Sequence, residues 1–305
     1  MHKRFFAVLL ILIPLAAVSG CLGGDENIDK WNEIVDKANG YAMTGEDIIT
    51  EAEDAYDDGY YDLAIQKVDE ATDELNLLAY EVHNLMGVAE DMDNGFTEDY
   101  VQAWQRKINA GQSYVDNLKM LIYIDMYSMS YLNVVDSQDA AFDYMYDFMD
   151  YYNSDQYQQA ILTGEMALAD FQMLSTYANE MADAAENIPH DYVKQYAATG
   201  ISLFDNYVGF IQKGLQAASS AEDGDFDSAD AYVSEANVFY SNANTAQDAL
   251  NAIGDNNPGE FPLTGYPLNA LFEQYYYALQ SDLDNVNMYA DEMTDIEDDN
   301  SDFFE

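Results

Sequence analysis

Along most of this chain, apolar residues recur at alternating steps of three and four. The clearest run is Tyr61, Ala64, Val68, Ala71, Leu75, Leu78, Val82 and Leu85. Such spacing lines one face of an α-helix and forms the seam along which helices pack. The ladder returns at Tyr157, Ala160, Gly164, Ala167, Phe171, Leu174, Ala178 and Met181. It returns again at Phe226, Ala229, Val233, Ala236, Tyr240, Ala243, Gln247 and Leu250. Column by column the three agree: an aromatic ring, alanine, a variable position, alanine, a large apolar residue, then a smaller stripe. Each ladder follows a turn, namely Asp57-Asp58-Gly59, Asn153-Ser154-Asp155 and Glu222-Asp223-Gly224. Glycine and asparagine suit a helix C-cap, and aspartate and serine suit the next N-cap.

A second ladder carries the complementary step: Val193, Ala197, Ile201, Phe204, Val208, Ile211, Leu215 and Ala218. Leu268, Phe272, Tyr276, Leu279, Leu283, Val286, Ala290 and Met293 match it at a constant offset of 75. A looser copy starts at Tyr100 and runs through Trp104, Ile108, Gly111, Val115, Leu118 and Ile122. Five prolines in 305 residues leave long helices intact. The pattern therefore predicts an all-α protein of about seven long antiparallel helices. They form three repeated helical hairpins plus a final helix, arranged as a bundle or a stack. The expected spans are 28–56, 60–93, 97–152, 155–187, 190–221, 225–253 and 267–297. The third exceeds its neighbours by roughly 20 residues around Ser128 to Asp147, either as one extended helix or as an additional one. The break from Gly254 to Pro267 holds three prolines, and its Phe261, Leu263 and Tyr266 predict a loop packed onto the body.

The turn-plus-ladder pattern resembles the second helix of a tetratricopeptide repeat. Gly59, Tyr61, Ala64, Val68 and Ala71 fit that motif, as do Gly224, Phe226, Ala229, Val233 and Ala236. The middle copy departs from it, with Asp155 in place of the first glycine and Gly164 at the apolar site. The copies also lie 69 and 96 residues apart, against about 34 for that family. The resemblance implies hairpin packing of a TPR-like kind and, at the level of function, protein binding.

The chain opens differently. A basic start, His2-Lys3-Arg4, precedes an apolar run and the small-residue motif Val18-Ser19-Gly20-Cys21. This is the build of a secretory signal, and the apolar run is short for a membrane span. The motif resembles the lipobox of lipoproteins, in its archaeal form. That resemblance implies cleavage after residue 20, a lipid on Cys21, and an address on the outer face of the cytoplasmic membrane or the cell surface. The layout is then a signal peptide (1–20), a lipidated N-terminus and spacer (21–27), one all-helical repeat domain (28–297) and an acidic frayed tail (298–305). Cys21 is the only cysteine, so no internal disulfide forms.

Cleavage removes two of ten basic residues and leaves eight against 58 acidic ones, a net charge of −50. Such a surface excludes nucleic acid as a partner, because phosphate binding needs a basic face. It also repels anionic headgroups, so the membrane partner is the lipid on Cys21 itself. High salt screens the self-repulsion, and diffuse cations condense on the acidic surface.

Chemistry beyond that is sparse. His83 and His190 stand far apart, and no G-x-S-x-G elbow or phosphate loop occurs. No catalytic residues and no cofactor are expected. Asp223, Asp225, Asp227 and Asp230 alternate like the front of a calcium loop. The sixth place holds Ser228 where glycine is required, however, and the twelfth holds Ser234 where glutamate is required. The methionines Met120, Met126, Met129, Met145 and Met149 follow helical spacing, which reads as core filling. Tyr123, Tyr127, Tyr131, Tyr144 and Tyr151 mark the extra segment as a candidate ligand or partner patch.

Two functional expectations follow. The first is a non-catalytic interaction or scaffold module with a protein partner. The alternative is a binding protein holding a small ligand or divalent cation in a cavity between hairpins. Replacement Cys21→Ser should abolish the lipid mass of the mature protein and release it from the membrane fraction. An unchanged mass and membrane fraction would overturn the anchor.

Overall fold

A computed structural model describes residues 26–92, 95–262 and 265–304. The expected signal, Cys21 and Leu263 lie outside the described residues. All regular structure among the described residues is helical: α1 (Glu26–Asp57), α2 (Tyr61–Asp91), α3 (Gly95–Asn153), α4 (Tyr157–Ala185), α5 (Asp191–Glu222), α6 (Phe226–Asn256), α7 (Asn269–Asp299) and the short α8 (Ser301–Phe304). The seven long helices follow the expected spans within a few residues. The extra residues of the third span extend it into one uninterrupted helix of 59 residues.

The repeat is visible in its turns. Gly59, Asp155 and Gly224 have φ of 78°, 57° and 81°. The next amide N–H in each turn donates to the carbonyl five residues back: Tyr60 to Ala55 at 2.8 Å, Gln156 to Tyr151 at 2.9 Å, Asp225 to Ser220 at 2.8 Å. This bond closes a Schellman-type cap, which needs a left-handed residue at that position. Glycine adopts it without strain, and aspartate is among the few others that do. The following helix starts two residues later in all three copies.

The described residues gather into two compact units. One holds those up to Ile122 together with those from Glu273 onward, and the other holds Tyr123–Phe272. Helices α3 and α7 supply residues to both.

In the first unit α1 packs on α2. The α2 ladder is wholly buried from Ala64 to Leu85, and on α1 Trp31, Val35, Ala38, Ala42, Ile49 and Ala52 are buried as well. Small residues recur on both buried faces, Ala64 and Ala71 on α2 and Ala38, Ala42, Gly45 and Ala52 on α1. The chain end, expected to fray, instead carries α8. Its Phe303 ring lies 6.3 Å from Trp31 and 4.9 Å from Phe96, and Phe304 lies 5.1 Å from Tyr100. Apolar rings outweigh the acidic character of this segment.

Polar pairs tie α3 to α1 and α7. Tyr100 donates to Glu297 at 2.7 Å, and Arg106 pairs with Glu292 at 2.7 Å. Ser113 and Asn117 both donate to Asp282, at 2.8 and 2.7 Å. Lys107 is buried, and that burial lowers its ammonium to about 8 against the opposing pull of Glu46 and Glu297. Glu53 accepts a hydrogen bond from Tyr114. Burial raises the Glu53 carboxyl to about 7; the Tyr114 bond opposes this, and Asp57 and Asp54 add to it.

In the second unit α4 packs on α5 and α5 on α6. Here the helices interlock through glycine holes. A Cβ at Gly164 would meet Leu215 at 2.7 Å and the Phe148 ring at 2.9 Å. One at Gly214 would meet the same ring at 2.6 Å, and one at Gly209 would meet Phe239 at 2.6 Å. Phe148 of α3 thus fills the space left by one glycine on α4 and one on α5.

Two predictions follow. Gly214→Ala should destabilise the second unit, because overpacking costs about 1–3 kcal/mol and outweighs a helix-propensity gain of about 1 kcal/mol. Thermal unfolding followed by circular dichroism checks this, and Phe148→Leu in the same chain should recover part of the loss. For Glu53, the native state holds its proton up to about 7 while the unfolded chain releases it at the ordinary glutamate value of 4.5. Its contribution to stability is therefore complete below 4.5 and lost as pH rises through 7. Glu53→Gln should leave stability unchanged near the lower limit and raise it by up to about 3 kcal/mol at neutral pH and above. Both tryptophans, Trp31 and Trp104, lie in the first unit, so their fluorescence during urea unfolding reports this unit.

Candidate functional site: a cavity between four helices

The antiparallel register of α4 and α5 repeats itself. Gly164 opposes Gly214, and fourteen residues away Ala178 opposes Gly200, where a Cβ on Gly200 would find only Ala178 at 3.9 Å. At about 1.5 Å per residue the two sites are roughly 21 Å apart along the helices. Helix α3 supplies Phe148 to the first site. Fourteen residues earlier it supplies Val134. The smaller side chain leaves the second hole unfilled.

A cavity of about 530 Å³ occupies that place. Its walls come from α3 (Val134, Val135), α4 (Ala178, Met181), α5 (Leu203, Phe204) and α6 (Leu250). It opens to solvent on one side, and ligand sites of this kind span about 300–1,000 Å³ and combine apolar walls with a few polar groups. Those polar groups are Gln138, Gln247, Asn251 and Asp255, with Asn251 and Asp255 on the exposed rim. A smaller void of about 130 Å³ lies beside Phe148 and Gly214.

The loop between α6 and α7 closes one side. Tyr131 donates to the Pro262 carbonyl at 3.0 Å, Ser128 to the Pro267 carbonyl at 3.3 Å, and Tyr266 donates to Asp125. These bonds hold the loop along α3 and bring Phe261 over Tyr196, with ring centroids 3.9 Å apart and planes within 6°. Tyr131 stands 6.0 Å from Tyr196 and 6.5 Å from Phe261. Behind this wall Tyr127 is fully buried, and its hydroxyl has no hydrogen-bond partner among the described residues. Burial holds its phenol well above the usual range, with the nearby Tyr196, Tyr131 and Tyr192 adding to the shift. Glu260, between the lining residues Gly259 and Phe261, has one buried carboxylate oxygen without a partner, and burial raises its carboxyl.

The five tyrosines marked in the sequence separate. Tyr127 and Tyr131 are buried, Tyr123 and Tyr151 are half-buried, and Tyr144 is exposed; only Tyr131 lines the cavity. The four aspartates fall around one turn. Asp223 caps the end of α5, and Asp225 caps the start of α6, accepting the Ser228 N–H at 3.2 Å. The Ser228 hydroxyl, and after it the Ser228 N–H, lowers the Asp225 carboxyl. Asp227 and Asp230 lie exposed in the first turns of α6. Among the described residues no three acidic, histidine or cysteine side chains are grouped to hold a metal ion. His190 caps α5, as its place beside Pro189 suggests, and His83 is exposed on α2.

Sequence reasoning missed Tyr196, Asp255, Asn251 and the hole at Val134. Phe261 was visible as a buried loop residue but not as a cavity wall. Among the described residues, no helix is long and apolar enough to cross a membrane. No family model matches the sequence, and no curated protein or solved structure matches it either.

Proposed function

We propose that this protein is an exported, lipid-anchored, non-catalytic binding protein whose second unit holds a small organic ligand. The observation that carries this reading is the unfilled hole between α3, α4 and α5. The same interlock is filled by Phe148 four turns away, so the repeat has a ready means of closing the gap and does not use it at Val134. The export and anchor portion rests on residues 1–21 of the sequence. Attachment by lipid would keep such a protein where a dilute external ligand first arrives.

The interaction-module reading has one observation in its favour. Leu162, Met166 and Met173 leave an apolar stripe on α4 that is 62%, 52% and 40% exposed. Their spacing puts them on one helix face.

The cavity reading is tested with Val134→Phe, which copies the filling at Phe148. The variant should fold and be at least as stable as the parent. A library of organic molecules is then screened by thermal shift. A binder at about 100 times its Kd stabilises the parent by about 2.7 kcal/mol, or several degrees in Tm. The variant should lose that gain. Equal responses of the two proteins to every binder would overturn the reading.

A further inference from the structure

We infer that this cavity takes an organic cation: an ammonium group carried on an apolar body. The inference rests on the cavity being a binding site and adds the chemistry of what enters it. The cavity's own lining carries the argument. Its one charged side chain is Asp255, at the exposed rim. Gln138, Gln247 and Asn251 add neutral amides, whose carbonyl oxygens accept hydrogen bonds from an ammonium. None of the described lining side chains is basic. An anionic ligand would therefore find no counter-charge, while a cation finds one.

The aromatic wall points the same way. Tyr131, Tyr196, Phe204 and Phe261 contribute rings to the lining. Ring faces carry the negative part of the aromatic quadrupole and attract ammonium groups, the more so when water is excluded. Val134, Leu203 and Leu250 offer the apolar surface that would cover the body of the molecule. The surroundings reinforce the choice. Within residues 123–272 only Lys194 and Lys213 are basic, against 23 acidic residues. Both are engaged: Lys194 donates to the Glu186 carbonyl at 2.8 Å and Lys213 pairs with Glu235 at 2.6 Å. The field at the mouth is therefore negative, which raises the local concentration of cations and depletes anions.

The test uses three molecules of one shape and different charge: phenethylammonium, phenethyl alcohol and phenylacetate. Each is titrated calorimetrically into the whole mature chain at ~0.15 M salt, where the Debye length is about 8 Å. Phenethylammonium should bind roughly tenfold more tightly than the alcohol, and phenylacetate should give no heat. Asp255→Asn should weaken the ammonium by about two- to fivefold, the range of an exposed charge pair, and leave the alcohol unchanged. Val134→Phe should abolish binding of both. Equal binding of ammonium and alcohol, lost together in Val134→Phe, overturns the cation while leaving the cavity as a ligand site. Ammonium binding that survives Val134→Phe unchanged belongs to the acidic surface and overturns the cation at this site. Silence of all three probes with the unaltered chain overturns the cation and counts against the cavity reading, which the wider library then decides.

Discussion

The second unit depends on how three helices share one size pattern. Where α4 and α5 both present glycine, α3 must supply a ring, because two glycines facing each other leave a hole that packing does not tolerate. Phe148 meets that demand with near-contact distances on both sides. Gly209 on α5 and Phe239 on α6 repeat the device on the next interface. Glycine in a helix interior costs about 1 kcal/mol relative to alanine, so these positions persist only where the ring they admit returns more than that. At Gly200 the cost is incurred and no ring is admitted. The cavity thus sits where a glycine of α5 faces Ala178 of α4 and no ring enters, and its position follows from the register.

Charge sets the second constraint. Eight Lys and Arg residues lie beyond residue 25, and most of them have a local partner. Lys30 and Lys37 pair with Glu26 and Glu33 one turn back on an exposed face, at 2.9 and 2.8 Å, and such pairs contribute little. Three others join elements: Lys67 reaches Glu51 across the α1–α2 hairpin at 2.9 Å, Lys119 reaches Asp69, and Lys213 links α5 to α6. These three cations serve at helix–helix seams, and most of the acidic side chains face solvent, with Glu53 and Asp125 among the exceptions. Among the described residues no basic side chain lines the cavity mouth, so its sign follows from this allocation as much as from Asp255.

The helices were legible in the sequence because burial imposes a period, and a period survives without knowledge of partners. Ala64, Val68, Ala71 and Leu75 announce a seam whichever helix covers it. The turns were legible for a similar reason, since left-handed backbone restricts the residue locally. Asp155 stands where its sister turns have glycine and adopts the same conformation. The division into two units and the cavity depend on register between helices, which one sequence does not encode in any local signal. Val134 is an ordinary apolar position until it is aligned with Phe148 and placed against Ala178. Asp225 illustrates the converse: alternating aspartates resemble a cation loop, yet a helix start needs one of them as its cap.

The loop after α6 completes the wall of the cavity, and it is held in a way that suits a mouth. Three of its polar ties run to one face of α3, at Asp125, Ser128 and Tyr131, spaced three residues apart. At its far end Leu268 is buried and left-handed, with φ of 53°, and its N–H donates to the Glu260 carbonyl at 2.8 Å. A leucine in that conformation costs about 1–2 kcal/mol, and such strain persists only where the surroundings over-determine it. Here the buried side chain and the Glu260 bond do so. Together they fix the short stretch that carries Gly259, Glu260 and Phe261. Tyr131 is common to both systems, since its hydroxyl tethers the loop and its ring lines the cavity. The shape of the site and the order of the loop are therefore one property, and a ligand that presses on the Tyr131 ring acts on the loop as well.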